Sequence, residues 1–392
     1  MIDWTSRQRM RVTCSPGLAE YMQAEVESLG FSTDHSWRTG VELDASPADA
    51  MKLCLHLRTA LHVMLLIDEF ECRNADELYR TIREMPWEKL ISPDGYVCVD
   101  ARANNETIRD SRFAGVRVKD GIVDRLMSVH GRRPNSGPER DHVVIHLDWQ
   151  ADTARLWLSM SGRKLTDRGY RRIAVPAPMR ENLAAGVLMA AGYDGTMPLV
   201  NPMCGSGTIA IEAALLATRR APGLLRANFG FMHLIGFDND SWQAIRRDAK
   251  DAPTNNEIAP IIATDNDDRA VNAARKNAET AGVHRLIQFH VCDFAGTDMP
   301  DTEGIVIMNP QYGQRMGEVA ELEATYKRIG DFLKQNCTGW TGYIFTGNRE
   351  LAKKVGLRAA RRMEFHNANI DCRLLKYELY QGTREAYAEN PS

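Results

Sequence analysis

Leu199-Val200-Asn201-Pro202-Met203-Cys204-Gly205-Ser206-Gly207-Thr208 is an apolar strand that runs into a glycine-rich turn and then into an apolar helix. Glycine lets a ligand approach the backbone closely, and a helix N-terminus offers N–H groups that have no intrahelical partner. The stretch therefore has the outline of a nucleotide site at a strand end. A P-loop is excluded because no Gly-Lys-Ser/Thr follows. The dinucleotide fingerprint fails as well: Ala210 takes the last, variable glycine place, and no acid lies about 20 residues on. A loop for S-adenosylmethionine remains.

Strands and helices alternate around this loop. A helix is predicted over 180–192, a strand over 198–201, a helix over 207–217, strands over 258–263 and 286–291, an apolar run over 304–308, and a strand over 340–346. Such alternation implies an α/β, Rossmann-like, doubly wound and mostly parallel sheet, with ligands at the strand C-termini. An acid at the end of the second strand should hold the ribose hydroxyls. Asp238 and Asp265 compete, and Asp265 is favoured because the strand-like Ile261-Ile262-Ala263 leads into it. Asp293, at the next strand end, is placed to accept from an adenine amino group. A helix N-cap is the structural alternative for each.

Ile305-Val306-Ile307-Met308-Asn309-Pro310-Gln311-Tyr312-Gly313 is an apolar strand ending in Asn-Pro, then an aromatic, then glycine. An exocyclic amine is a poor nucleophile because its lone pair is delocalised into the base. The Asn309 side-chain oxygen and the Pro310 carbonyl can each accept an amino hydrogen, drawing the nitrogen toward tetrahedral geometry in line with the sulfonium methyl. Tyr312 can stack on a flipped base. An ordinary strand-to-turn stop is the bland reading.

Towards the N-terminus, residues 9–68 read as a ferredoxin-like α/β unit: a strand over 10–14, a helix over 17–29, a strand over 40–43, and a helix from Pro47 after Ser46 as cap. The next segment repeats the theme, with helices at 74–85 and 115–129, a strand at 96–101, and strands at 143–149 and 153–159 joined by a hairpin. The loop 131–141 carries Arg132, Arg133 and Arg140, expected to be exposed. Val175-Pro176-Ala177-Pro178 reads as an interdomain linker. The expected organisation is a ferredoxin-like module over 1–68, a second α+β module over 69–165, a linker over 166–179 and the Rossmann-like domain over 180–385.

The 392 residues hold 49 Lys+Arg and 52 Asp+Glu, a net charge of −3 that argues mildly against a polyanion partner. The average misleads. Residues 1–100 carry −7, 101–180 carry +7 with 14 Arg among 16 basic side chains, and 181–392 carry −3. Arg presents a planar fork that fits phosphate, so the basic stretch points to nucleic acid, against a solvated charged face as the bland reading. The eight cysteines show neither CxxC nor a nearby His pair, so no metal site and no disulfide framework is expected. No apolar run is long enough to span a membrane, and the N-terminus lacks an apolar signal core, so a cytoplasmic location is expected.

These motifs, in this order, resemble the class I S-adenosylmethionine-dependent RNA methyltransferases with an N-terminal THUMP domain, in particular the guanine-N2 enzymes of 23S rRNA and their tRNA relatives. The resemblance covers nearly the whole chain. It runs through Val118-Lys119-Asp120-Gly121-Ile122-Val123-Asp124, Leu165-Thr166-Asp167-Arg168-Gly169-Tyr170-Arg171, Pro178-Met179-Arg180-Glu181-Asn182, Pro202 to Ala214, and Arg220-Ala221-Pro222-Gly223. It implies that S-adenosylmethionine is the methyl donor and S-adenosylhomocysteine the product. It places Asn182, Asn201, Pro202, Cys204, Gly205, Ser206, Gly207, Asp265, Asn266, Asp293 and Phe294 at the cofactor, and Asn309, Pro310 and Tyr312 at the target amine. Arg132, Arg133, Arg140, Arg168 and Arg171 are implied on RNA, rRNA ahead of tRNA. Two departures stand out. Asn201 replaces the usual Asp, which removes a carboxylate near the cofactor's ammonium, and Gln311 replaces a second Pro, which loosens the target loop. Methylation of DNA adenine or of protein glutamine uses similar loops but leaves the Arg-rich half unexplained. An idle RNA-binding assembly factor is the reading from another class.

Overall fold

A computed structural model describes residues 4–108, 110–173, 178–252, 257–312 and 316–380, the last segment with side chains from 322 onward. Val175-Pro176-Ala177 of the expected linker and Gly313 of the target motif lie outside the described residues. The chain forms two compact units, one of residues 1–14, 22–167 and 221–251, the other of 15–21, 168–220 and 252–392.

The first unit is built on one eight-stranded sheet. Its strands are β1 (Gln8–Cys14), β2 (His35–Trp37), β3 (Gly40–Ala45), β4 (Ala60–Glu71), β5 (Tyr96–Asn104), β6 (Asn135–Ser136), β7 (Val143–Gln150) and β8 (Thr153–Ser159), in the order β2-β3-β1-β4-β8-β7-β5-β6. The helices are α1 (Ala19–Ser28), which belongs to this unit from Met22 onward, α2 (Pro47–His56), α3 (Ala75–Glu84) and α4 (Ser111–His130). Ser46 caps α2 in a reciprocal box with Asp49, and Pro47 occupies the first helical position, where its missing N–H costs nothing. The expected module boundary at 68/69 falls inside β4. This strand pairs with β1 through residues 60–65 and with β8 through residues 64–71, the β8 ladder shifting register between Leu66 and Asp68.

Residues 221–251, expected within one continuous catalytic domain, belong to the first unit. Phe231 N–H donates to Met160 O at 3.0 Å and Ile235 N–H to Leu90 O at 3.1 Å. Arg226 donates to the carbonyls of Lys164 (2.6 Å) and Ser161 (3.1 Å). Phe229, Phe231 and Trp242 form an aromatic knot, with Trp242 carried on α7 (Asn239–Asp251).

The second unit contains β9 (Leu199–Pro202), β10 (Ile261–Asp265), β11 (Ile287–Val291), β12 (Ile305–Met308), β13 (Thr341–Thr346), β14 (Arg361–Asn367) and β15 (Ile370–Glu378), in the order β11-β10-β9-β12-β13-β15-β14. Its helices are α5 (Glu181–Ala190), α6 (Thr208–Ala217), α8 (Asp268–Ala281), α9 (Met316–Asn336) and α10 (Arg349–Lys354). The first five strands of that order run parallel, and β15 lies antiparallel to β13 and β14. Every residue of β9 and β12 is buried, which is why Leu-Val-Asn-Pro and Ile-Val-Ile-Met show no alternation of apolar and polar positions.

Arg168 begins the second segment of this unit and corrects an expectation. Its side chain is 1% exposed and donates from Nε to Glu212 Oε1 at 2.8 Å, and Tyr170 Oη donates to the same oxygen at 3.0 Å. A guanidinium shut away in this pair has no reach to RNA phosphate. Removing one member of a buried pair strands the other charge. Glu212→Ala is therefore expected to lower stability by about 3–5 kcal/mol, read as a lower urea midpoint with an unchanged denaturant slope.

Candidate functional site

In the order of the second sheet, the chain leaves β9 towards β10 and β11, and later crosses back to β12 on the other side of β9. That reversal opens a crevice at the C-terminal ends of β9, β10 and β12. The glycine-rich turn lies there. Met203 (φ 58°), Gly205 (φ 55°) and Gly207 (φ 80°) all adopt left-handed backbone, an unusual density of turns for five residues and a strained one at Met203. A Cβ on Gly207 would sit 2.8 Å from Ala274 Cβ and 3.1 Å from its Cα, so this glycine also permits α8 to pack against the loop.

Neighbouring groups hold the turn in shape. Cys204 N–H donates to Thr264 O (2.9 Å), and Gly205 N–H donates to Asp265 Oδ2 (2.9 Å). Burial, aided by Asp265, pushes the Cys204 thiol up, so it stays protonated and is no nucleophile. Asp265 is not the helix cap that the structural alternative required, because Asp267 caps α8 by accepting from Arg269 N–H. Asp238 belongs to the first unit and accepts from Asp240 N–H and Ser241 Oγ, a local turn. Asn266 is exposed beside Asp265.

Arg171, expected on RNA, has a different task. Its Nε donates to Glu181 Oε1 (3.0 Å), Nη1 to Ser206 Oγ (2.7 Å), and Nη2 to Thr208 Oγ1 (3.0 Å) and Met179 O (2.9 Å). It therefore clamps the turn to the first turn of α5, where Asn182 is fully buried. Asn277 on α8 completes the arrangement. Its Oδ1 accepts from the N–H groups of Arg172 (2.9 Å) and Ile173 (3.0 Å), and its Nδ2 donates to Ile173 O (2.9 Å) and Ser206 O (3.2 Å). Its role has a signal in the sequence: a lone Asn on the otherwise apolar stripe Ala270, Ala274, Ala278, Ala281.

Two side-chain oxygens are left over. Asn201 is 1% exposed; its Nδ2 donates to Ile307 O at 2.9 Å, while its Oδ1 is buried with no partner among the described residues. Asn309 Oδ1, one residue past the end of β12, is in the same condition. A buried acceptor without a donor costs roughly 1–3 kcal/mol, and such a group in a crevice points to a ligand that donates. Pro310 is buried and Gln311 exposed. Tyr312 is half-buried; Asn367 Nδ2 donates to its Oη at 3.0 Å, Asn348 Nδ2 approaches its carbonyl at 3.4 Å, and its ring lies against Gly347, where a Cβ would come within 3.1 Å. Burial pushes the Tyr312 phenol up, so it acts as a neutral surface.

Asp293 and Phe294 carry structural duties. Asp293 Oδ1 accepts from Ala295 N–H at 3.0 Å and from Arg328 Nη2 at 2.7 Å. Burial favours the neutral acid, but the two donors outweigh it and hold the carboxyl below its ordinary value. Phe294 packs edge-on to Phe332 in the core. In the first unit, Arg133 is exposed, Arg132 pairs with the exposed Asp94, and Arg140 pairs with Asp100 at 2.9 Å. Among the described residues no cluster of three His, Cys, Asp or Glu could hold a metal ion, and no helix is long and apolar enough to cross a membrane.

Comparison with known proteins gives three family matches: an RMKL-like methyltransferase domain over 168–376, an RlmL ferredoxin-like domain over 9–64 and a THUMP domain over 72–158. A protein of Syntrophotalea carbinolica named "Ribosomal RNA large subunit methyltransferase K/L" is 36% identical over 94% of this chain, which spans 53% of that relative. The chain thus covers about half the length of such relatives. A Synechocystis protein named "Putative RNA methyltransferase slr0064" is 33% identical, with 94% of this chain and 96% of the relative covered. A crystal structure described as a possible methylase from Clostridium difficile superposes with a TM-score of 0.85 at 26% identity, covering 96% of this chain and all of that one.

Arg171→Leu should leave the glycine-rich turn without its clamp. The expected outcome is cofactor affinity lowered about tenfold or more, measured by calorimetry, with Arg171→Lys recovering only part because an ammonium cannot reproduce the fork.

Proposed function

The chain belongs to the RMKL-like methyltransferase family, and on that premise we propose that it methylates RNA, transferring a methyl group to the exocyclic N2 of a guanosine in large-subunit rRNA. The observation that carries this reading is the buried Asn309 Oδ1 at the strand end, which has no partner among the described residues and is free to accept from an N–H donor. The Asn201 oxygen and the left-handed turn at Met203–Gly207 fit the methionine and ribose portions of S-adenosylmethionine, with Asp265 at the ribose. When bound, that cofactor supplies an electrophilic methyl on its sulfonium sulfur.

The side chains of this site position rather than exchange protons. Asn309 Oδ1 and the Pro310 carbonyl accept the two amino hydrogens and turn the nitrogen lone pair out of conjugation with the base. Tyr312, braced by Asn367 and Gly347, offers its ring to the flipped base. The amino nitrogen held there would take the methyl that the cofactor supplies, and the proton that it then sheds goes to water. No strong base is needed, because the nitrogen becomes acidic only on alkylation. Asn201 in place of a carboxylate predicts a weaker hold on the cofactor's ammonium, and the exposed Gln311 a looser target loop.

Tritiated cofactor incubated separately with undermodified 23S rRNA and with tRNA tests the reading, with mass spectrometry identifying N2-methylguanosine. Label in rRNA is expected. Label in tRNA alone would move the substrate, and label in neither, with no cofactor binding by calorimetry, would leave only an idle RNA-binding factor. Asn309→Ala is expected to lower kcat at least a hundredfold while cofactor affinity stays within about twofold. Replacing Arg132, Arg133 and Arg140 together by Ala should weaken RNA binding and reduce its salt slope by about 1 for each phosphate no longer neutralised, leaving cofactor affinity unchanged.

A further inference from the structure

The open face of the first sheet holds a cleft of about 390 Å³ lined by Arg9, Arg11, His35, Trp37, Glu42, Asp148 and Arg155. Its floor is rigid. The Arg11 guanidinium lies 4.1 Å from the Trp157 ring centre and 5.3 Å from that of Trp37. It is held from the sides by Glu42 Oε1 (2.8 and 3.1 Å) and Asp148 Oδ2 (3.1 Å). Trp37 donates from Nε1 to Thr39 Oγ1 at 3.0 Å, which fixes the plane of its indole, and His35 stacks on it with centroids 5.8 Å apart.

Three guanidinium groups meet three carboxylates here. Arg9 and Arg155 converge on Glu69, at 3.4 and 3.0 Å, and Arg155 also stands opposite Asp148 across the β7–β8 pair. Arg11 faces both Glu42 and Asp148. Both of its bonds to Glu42 go to Oε1, so Oε2 has no partner among the described residues. Guanidinium forks, an oriented aromatic face and an open acceptor match the three parts of a nucleotide: phosphate, base face, and a base edge that carries amino or imino donors.

We propose that this cleft is a binding site for one unpaired nucleotide of RNA, its base stacked on Trp37, its donor edge on Glu42 and its phosphate at Arg9 and Arg155. The site lies outside the catalytic crevice and outside the Arg132–Arg140 loop. The inference rests on the proposal that the chain acts on RNA.

The test uses the full chain and a fluorescein-labelled, mixed-sequence single-stranded 12-mer of RNA. Trp37→Ala is expected to weaken binding about tenfold, the size of one lost base stack, with Trp37→Phe retaining most of the affinity. Because Trp37 also packs over Gly40, the unaltered protein provides a second measurement: the same oligonucleotide carrying 4-thiouridine, irradiated in the complex, should cross-link to the peptide spanning residues 35–42. Unchanged affinity of Trp37→Ala, or cross-links to other peptides only, would overturn the site while methyl transfer to rRNA still upheld the enzymatic reading. Failure of both the 12-mer and whole rRNA to bind would instead remove the RNA reading on which the site depends.

Discussion

The catalytic unit depends on one constraint of parallel sheets: where the strand order reverses, adjacent crossover connections leave in opposite directions and the carboxyl ends between them stay uncovered. Here the reversal falls between β9 and β12. The two strands are buried on both faces and cannot shift, so the side chains just past their ends are held at fixed positions. Asn201, inside β9, is further tied to β12 through Ile307 O, one hydrogen bond that joins the two strands flanking the crevice.

The turn between β9 and α6 is shaped from outside as much as by its own glycines. Arg171 and Asn277 between them supply eight hydrogen bonds that join the segment 171–173, the start of α5 and the turn. The same segment begins with Arg168 and Tyr170 converging on Glu212 of α6. Arg168 and Arg171, expected on RNA, instead join Tyr170 in anchoring a strap against the glycine-rich turn.

What is legible in the sequence follows from this. The strand-to-glycine-turn-to-helix pattern and the apolar run into Asn309 are local, so their fold meaning can be read directly. Asp265 is separable from Asp238 because a strand leads into one and not into the other. Arg168 and Arg171 escape such a reading because charge counting does not register a partner 44 residues away on α6 or 35 residues away in the turn. Asn348 and Asn367, which brace Tyr312, sit on elements whose pairing is set by long-range packing, and the β14–β15 hairpin turns at Ala368, whose positive φ of 54° is not advertised by a glycine. Trp37 lies on a three-residue edge strand too short to show a period.

The grouping of residues 221–251 with the first unit bears on how the chain is made. The aromatic knot of Phe229, Phe231 and Trp242 and the carbonyl-binding Arg226 are encoded after β9 and α6, deep within the sequence of the other unit. During synthesis the sheet of the first unit is complete at residue 159 but lacks these packing partners until residue 251 has emerged. By then the second unit has begun with β9 and still awaits β10. The two units therefore mature together rather than one after the other, and a cut anywhere between 168 and 220 yields two fragments that are each missing part of their own interior.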